Sequence, residues 1–376
     1  MTKSQAQAAK DQQWMRECVR LALRGMGLVS PNPMVGCVIV KNGRVIATGC
    51  HKKYGGEHAE QIALRALSKK QKNKKTKKQF IGATVYLNLE PCCHWGKTPP
   101  CVDVLITAGV KRVVVGMKDP NPLVNGKSIR KLRRAGIKVD VGVLTDECQE
   151  INEPFTKWIT TRRPFVLLKC ALTVDGALTL KKGTATPLGC PETMRRTHQL
   201  RQQYDAIAVG VDTVLIDNPL LTCRLGTKRK RNPARVVFDT RLRISENARM
   251  FPESGQTIIF TGPRINNQKK TRLEKKYPAV MVVSLPLGRD QHLSLKAALK
   301  WLGDYGISSL LVEGGAGLAN NLLKQRLADK VMLIITPHLA ADLAAPRLIP
   351  ALAAPAGGQS SWEWSGDDAW FTIYPN

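Results

Sequence analysis

At 376 residues the chain is long enough for two domains of ordinary size, and its hydrophobic fraction of 43% is that of a globular protein. No run of eighteen apolar residues occurs, which excludes a transmembrane helix, and Met1 to Asp11 lacks the apolar core of a secretory signal. The net charge of +29 fits either a nucleic-acid partner or small phosphorylated substrates. Lys69 to Lys78 holds seven lysines in ten residues with no aromatic interleaved for base stacking, and Thr227 to Arg231 is a second basic loop. Both read as solvated insertions, so neither nucleic acid nor membrane is an expected partner. Ten cysteines in so long a chain suit reduced thiols in a cytoplasmic setting rather than a disulfide scaffold.

Gln12 to Arg24 carries apolar residues near helical spacing (Trp14, Met15, Cys18, Leu21, Ala22), with Gly25 beyond as a stop. Pro31-Asn32-Pro33 is a rigid loop. Val35 to Val40 and Val45 to Cys50 read as strands joined at Asn42-Gly43, a hairpin signal. Gly55-Gly56-Glu57 leads into a helix starting near His58, whose first turn aims His58 and Glu60 at one spot. Ala83 to Asn88 is the next strand. Thr98-Pro99-Pro100 starts a helix near Cys101 with Val102, Leu105 and Ile106 inward. Strands at Arg112 to Gly116 and Lys138 to Val141, with a helix at Lys127 to Ala135, continue an α/β sheet. Asp119-Pro120-Asn121-Pro122 follows a strand, where open α/β sheets place ligands.

The chemistry concentrates between residues 58 and 101. His58-Ala59-Glu60 is followed about thirty residues later by Pro91-Cys92-Cys93, and then by Cys101. His-x-Glu with Pro-Cys and a further Cys is the arrangement of a zinc-dependent deaminase. Three ligands of the His/Cys/Cys type leave a fourth position for water, whose pKa falls from about 15.7 towards 7. A carboxylate that is not a ligand must shuttle protons, and Glu60 stands two residues from His58. The tripeptide alone arises in many short helices, and the cysteines alone suit a buried core or a closed structural zinc site. A closed site wants a fourth thiolate or imidazole at short spacing, whereas the expected liganding pair here is separated by eight residues. Two helix N-termini facing each other across a sheet, one carrying His58 and one the cysteines, would close the site.

Pro31-Asn32-Pro33-Met34-Val35-Gly36, His58-Ala59-Glu60 and the run from Glu90-Pro91-Cys92 through Trp95-Gly96-Lys97-Thr98-Pro99-Pro100-Cys101 together resemble the deaminase half of the bifunctional riboflavin-biosynthesis deaminase/reductases. Cytidine and tRNA deaminases place their second and third ligands closer together. The resemblance implies a cytidine-deaminase-like α/β/α domain with His58, Cys92 and Cys101 as zinc ligands and Glu60 as proton shuttle. It also implies substrate contacts from Asn32, His51, His94, Lys97 and Thr98. Lys97 offers a cation for a 5′-phosphate, and Asn32 can pair with a pyrimidine edge. Cys93 stands where the family has Ser. Either thiol is within reach of a metal by sequence, and the family register favours Cys92.

Asp146 to Thr161 reads as a helix leading to a linker that Arg162-Arg163-Pro164 breaks. Strands follow at Phe165 to Ala171, Ala206 to Val209, Arg235 to Phe238, Thr257 to Phe260, Val280 to Val283, Ser309 to Val312 and Val331 to Ile335. Helices fall near Thr193 to Gln203, Leu295 to Leu302 and Gly317 to Arg326. No Gly-x-Gly-x-x-Gly follows a strand, so the dinucleotide fingerprint is absent. Leu311 to Gly317 nevertheless runs from strand through glycines into helix, where backbone N–H groups bind phosphate.

Leu168 to Gly176, Arg201, Asp205 to Arg224 and Val237 to Thr240 resemble the reductase half of the same family, so the resemblance spans nearly the whole chain. It implies a dihydrofolate-reductase-like α/β domain binding NADPH near Ala171, Thr213, Asp217, Thr240, Gly314, Gly315, Ala316 and Gly317. Substrate contacts would come from Lys169, Arg201, Leu220, Arg224 and Glu313, the arginines clamping the 5′-phosphate. Hydride delivery to C1′ turns ribosyl into ribityl, with Lys169, Asp217 and Glu313 as candidates to orient substrate or move protons. Where the family carries Gly-x-Ser-x-Trp-Ile-Thr, this chain has Gly183 to Gly189, with Ala185 and Pro187 replacing the Ser and the aromatic.

The expected organisation is a zinc deaminase domain at 1–147, a linker at 148–163 and an NADPH-dependent reductase domain at 164–376. The expected reactions are deamination of 2,5-diamino-6-ribosylamino-4(3H)-pyrimidinone 5′-phosphate and reduction of its ribosyl group, in a cytoplasmic homo-oligomer. The rivals are a deaminase with a weakened reductase half, a zinc deaminase acting on nucleic acid, and a non-enzymatic zinc-dependent RNA-binding module.

Overall fold

A computed structural model describes residues 2–70, 80–95, 99–226, 231–288, 290–348 and 360–375. The chain divides into two compact units, Met1–Arg162 and Arg163–Asn376. Most of the Lys69 to Lys78 run, most of the Thr227 to Arg231 loop, and both Lys97 and Thr98 lie outside the described residues. Among the described residues, no helix is long and apolar enough to cross a membrane.

The first unit opens with α1 (Lys3–Ala22), started by a capping box between Thr2 and Gln5. Then come β1 (Gly36–Lys41), β2 (Arg44–Cys50), α2 (Ala59–Lys70), β3 (Thr84–Leu89), α3 (Cys101–Ala108), β4 (Arg112–Met117), α4 (Lys127–Arg134) and β5 (Lys138–Val141). The five-stranded sheet runs β2-β1-β3-β4-β5, antiparallel around β1 and parallel from β3 to β5. Strand alternation sends Cys37, Ile39, Val85, Leu87, Val113 and Val115 to one face, where Ala63, Leu105 and Leu132 cover them. Val38, Tyr86 and Val114 go to the other face, under Met15, Cys18 and Leu21 of α1. Each such side chain, fully buried, contributes roughly 1.5–3 kcal/mol.

Gly49 sets the distance between sheet and α2. A Cβ there would stand 2.1 Å from the Ala59 carbonyl oxygen, so only glycine lets β2 approach the first turn of that helix.

The helix expected over Asp146 to Thr161 forms as two helices, so the segment 148–163 is helical almost throughout. Helices α5 (Thr145–Glu150) and α6 (Glu153–Thr161) bury Cys148 and Phe155 in the cluster under α1. Asn152 between them ties back to the loop before β1, accepting from Met34 N at 2.8 Å and donating to Met34 O at 3.1 Å.

The second unit consists of β6 (Phe165–Leu172), α7 (Pro191–Gln203), β7 (Ala206–Gly210), α8 (Val211–Asp217), β8 (Ala234–Phe238), β9 (Thr257–Thr261), α9 (Asn267–Lys276), β10 (Val280–Ser284), α10 (Leu295–Asp304), β11 (Ser309–Glu313), α11 (Ala316–Lys324), β12 (Lys330–Ile335), β13 (Ser360–Ser365) and β14 (Asp368–Ile373). Its nine-stranded sheet runs β10-β9-β8-β7-β11-β6-β12-β14-β13. It is parallel from β10 to β12 and closes with antiparallel β14 and β13. The parallel strands are apolar on both faces, as helices on each side require, and their C-terminal ends share one edge. That edge carries the candidates Thr213, Thr240 and Glu313, with the glycines after β11.

Candidate functional site

His58 immediately precedes α2 and its carbonyl accepts from Ile62 N at 3.0 Å, so it caps the helix. Cys101 is the first residue of α3, and Cys92 lies in the loop after β3. Two bonds hold that loop on α3: Cys101 N donates to Cys92 Sγ at 3.3 Å, and Val102 N to Cys92 O at 3.1 Å. His58 and Cys101 therefore sit at two helix starts as expected, but α2 and α3 pack side by side on one face of the sheet rather than across it, and Cys92 comes from the loop.

His58 Nδ1 stands 3.2 Å from Cys101 Sγ and 3.6 Å from Cys92 Sγ, and the three donor atoms lie within 4.8 Å of one another. Tetrahedral zinc with bonds of about 2.0–2.3 Å puts its donors ~3.6–3.8 Å apart, so this set fits the ion with little adjustment. The thiols share a proton between them. Cys92 is pulled down to about 4, first by its hydrogen bond to Cys101 and further by His58, while Cys101 is driven up. Cys93 is turned elsewhere, donating from Sγ to Leu123 O at 3.7 Å.

Glu60 is 3% exposed, and burial, then the negative charge of Cys92, raises its carboxyl to about 7. It lines a cavity of about 290 Å³ with His58, Cys92, Asn32, His51 and His94. Of the expected substrate contacts, Asn32, His51 and His94 therefore share one cavity with the ligand cluster.

Other walls of this cavity were missed or left without a role by the sequence reading. Phe155, Trp158 and Ile159 come from α6, within the helix expected over Asp146 to Thr161, and their i, i+3, i+4 spacing was the available signal. Asp119 and Asn121 follow β4 as the strand-end rule anticipates. Burial pushes the Asp119 carboxyl up to about 7, with the Glu90 charge adding to it. Glu90, 2% exposed, organises this loop by accepting from Asp119 N, Gly126 N and Ser128 Oγ at 3.2, 2.9 and 2.6 Å.

In the second unit, Arg201 of α7 makes a two-pronged pair with Glu313 at the end of β11, at 2.8 and 2.7 Å. Lys169 on β6 is in register with Glu313. The guanidinium also donates to Thr222 O at 3.2 Å, on the loop leading to Arg224. His198, which the sequence reading passed over, belongs to this group: its Nδ1 accepts from Arg224 N at 3.3 Å. Burial, then the charges of Arg201 and Arg224, lowers its pKa to about 4.

Thr213, Asp217, Gly315, Ala316 and Gly317 line a neighbouring cavity of about 280 Å³. Gly314 and Gly315 adopt φ of 72° and 71°, and a Cβ on Gly315 would meet Thr213 Oγ1 at 3.0 Å. No side chain caps α11, whose first amides stay open to a phosphate. Thr240 lines an adjoining cavity of about 730 Å³ together with Gly317. A cradle without Cβ atoms at a strand-to-helix turn, opening into two connected cavities, fits a dinucleotide. Ala171 and Leu220 line neither cavity.

Residues 8–117 match the cytidine and deoxycytidylate deaminase zinc-binding region, and residues 164–364 match the RibD C-terminal domain. The riboflavin biosynthesis protein RibD of Actinobacillus pleuropneumoniae is 40% identical over 331 residues, covering 88% of this chain and 84% of that one. That of Aquifex aeolicus is 39% identical, covering 88% and 87%. The chain belongs to the RibD family.

A solved structure from Thermotoga maritima, described as a diaminohydroxyphosphoribosylaminopyrimidine deaminase/5-amino-6-(5-phosphoribosylamino)uracil reductase, superposes with a TM-score of 0.83 at 34% identity. It covers 98% of this chain and all, 100%, of that one. Acinetobacter baumannii RibD superposes with a TM-score of 0.82 at 32% identity. The departures from the RibD pattern at Ala185 and Pro187 fall in the loop along the smaller cavity, where Thr184, Ala185 and Thr186 form a wall. Thr179 Oγ1 pins that loop, lying 3.0 Å from Thr186 Oγ1 and donating to Thr184 O at 2.9 Å. Hydroxyl groups thus remain at this wall although Ser is absent from position 185.

Proposed function

We propose that the first unit removes the 2-amino group of 2,5-diamino-6-ribosylamino-4(3H)-pyrimidinone 5′-phosphate and that the second reduces the ribosyl chain of the product with NADPH. The observation that carries this is the His58, Cys92 and Cys101 cluster with buried Glu60 beside it. Zinc held by these three residues supplies a Lewis acid that makes hydroxide available at neutral pH. Glu60 takes one proton from the attacking water and passes it to the ring nitrogen, then carries the second, from the hydroxyl of the adduct, to the departing amine, a task suited to a buried carboxyl. Asn32, His51 and His94 orient the pyrimidine. Lys97 and Thr98 meet the substrate from the stretch outside the described residues, Lys97 at the phosphate.

NADPH supplies the hydride for the second step, received at C1′ while the ribose ring oxygen takes a proton. Arg201 and Arg224 hold the 5′-phosphate, and Glu313 keeps Arg201 in place. Lys169 and Asp217 are the candidates for the proton. Thr213, Thr240 and the turn from Gly314 to Gly317 hold the cofactor. Ten free cysteines support residence in a reducing cytoplasm. Assembly as a homo-oligomer belongs to the same proposal and is read by light scattering of the purified chain.

Incubation with the diaminopyrimidinone phosphate separates the two activities when ammonia and NADPH oxidation are followed independently. Ammonia released without NADPH, and NADPH consumed only after deamination, is the expected result. Ammonia with no NADPH oxidation sinks the reductase reading, and neither signal in zinc-loaded protein sinks both.

A further inference from the structure

We infer that the larger cavity of the second unit takes the adenosine end of NADPH and that Arg241, aided by Arg243, binds its 2′-phosphate and so selects NADPH over NADH. This rests on the NADPH reading above and adds the cofactor's direction and the source of its specificity.

The direction follows from strand order. Lys169 and Glu313 sit on β6 and β11, whereas Thr240 and Arg241 follow β8, with β7 between β8 and β11. The smaller cavity, walled by the loop after β6, is therefore the one beside the substrate groups and takes the nicotinamide. The two cavities share Gly210, Asp212, Gly317 and Leu318. A dinucleotide running through both passes the uncapped start of α11 with its pyrophosphate and ends against Arg241 and Arg243.

The turn after β8 is built to present these arginines. Asp239, buried, accepts from Leu242 N at 3.1 Å and, through Oδ2, from Ile244 N at 2.8 Å. Leu242 is held at φ 55° with its side chain 2% exposed, and Ile244 is fully buried. Alternation then leaves Arg241 and Arg243 outward on the cavity wall. A non-glycine residue at positive φ is kept only where its surroundings fix it, which makes this turn a rigid support.

Charge separates the two arginines. Arg243 is paired with Asp212 on the same wall at 2.6 Å. Arg241 has no ion-pair or hydrogen-bond partner among the described residues, and its guanidinium is exposed. His292, Lys324 and Asp290 also face the cavity. A doubly charged phosphate satisfies the open Arg241 fork and shares Arg243 with Asp212. A bare 2′-hydroxyl offers neither guanidinium a strong acceptor.

Calorimetry on the full chain with 2′,5′-ADP and 5′-AMP, and with NADPH and NADH, tests this. The unaltered protein is expected to favour each 2′-phosphorylated ligand by roughly tenfold or more, an advantage that shrinks as salt is raised. Arg241→Gln should erase most of the preference while leaving 5′-AMP and NADH affinity unchanged, and Arg241→Lys should restore part of it. Arg243→Gln should weaken the preference by a smaller factor. Equal affinity for the two members of each pair, or an equal loss for both in Arg241→Gln, overturns the assignment while leaving the reductase reading intact. Binding of neither dinucleotide overturns both.

Discussion

The Asn32 amide nitrogen lies 3.1 Å from Nε2 of His51, and the other side of the same ring decides what that contact is. His51 Nδ1 is 2.9 Å from the Glu57 carbonyl oxygen, which can only accept, so Nδ1 carries the proton and Nε2 is the acceptor. Burial lowers the His51 pKa and keeps the ring neutral. Asn32 therefore donates through Nδ2, leaving Oδ1 as an acceptor for a ligand of the cavity. Asn32→Asp sets an acceptor against the Nε2 lone pair. Ammonia release should fall roughly 10–100-fold in kcat/KM with zinc content unchanged, and an unaltered kcat/KM contradicts this pairing.

Glu60 bonds to the Cys101 thiol but is not one of the three clustered ligands, so its replacement separates chemistry from metal binding. Glu60→Gln should retain stoichiometric zinc by metal analysis yet lose about 10²–10⁴ in the rate of ammonia release. A purely structural zinc site would tolerate the change.

The Arg201–Glu313 pair is nearly dry, with side chains 13% and 10% exposed. Glu313→Ala leaves a buried guanidinium unpaired and should destabilise the second unit by ~3 kcal/mol in urea unfolding. Arg201→Met combined with Glu313→Leu should regain most of that stability without regaining NADPH oxidation. Recovery of both would mean the pair serves the fold alone.

His198 links acid stability to the same cluster. The unfolded chain takes up this proton near 6.5 and the folded unit only near 4. Its contribution is thus complete above 6.5 and is lost as pH falls towards 4. NMR titration of the imidazole should show a midpoint well below 6.5, and His198→Gln should flatten the pH dependence of unfolding in that window. A midpoint at or above 6.5 contradicts the geometry around Arg224.

Both sheets were legible because their inner strands are runs of β-branched and aliphatic residues between clear breaks, as in Val113 to Val115 and Ile258 to Phe260. The zinc cluster was legible because His58 and Cys101 sit at helix starts and Cys92 follows Pro91 in a short motif, so local sequence fixes their side-chain directions. What escaped depends on tertiary partners. Helix α9 buries Leu273 amid lysines and arginines, so its sequence carries little apolar period. Helix α8 follows β7 without a break, and its seven residues looked like part of the strand's motif. Strand β13 is the edge strand of its sheet, with Trp362 and Trp364 exposed, so its sequence shows no buried alternation. The Phe155, Trp158 and Ile159 wall became visible only once α6 had docked beneath α1.

X-ray absorption at the zinc edge of the full-length protein tests the central claim most directly, because it counts the ligands that distinguish an open catalytic ion from a closed structural one. The account predicts two sulfur scatterers near 2.3 Å, one imidazole nitrogen and one light, exchangeable atom. One sulfur should be lost in Cys92→Ser and none in Cys93→Ser. A four-ligand protein shell with no exchangeable atom, or loss of sulfur on replacing Cys93 rather than Cys92, would contradict it.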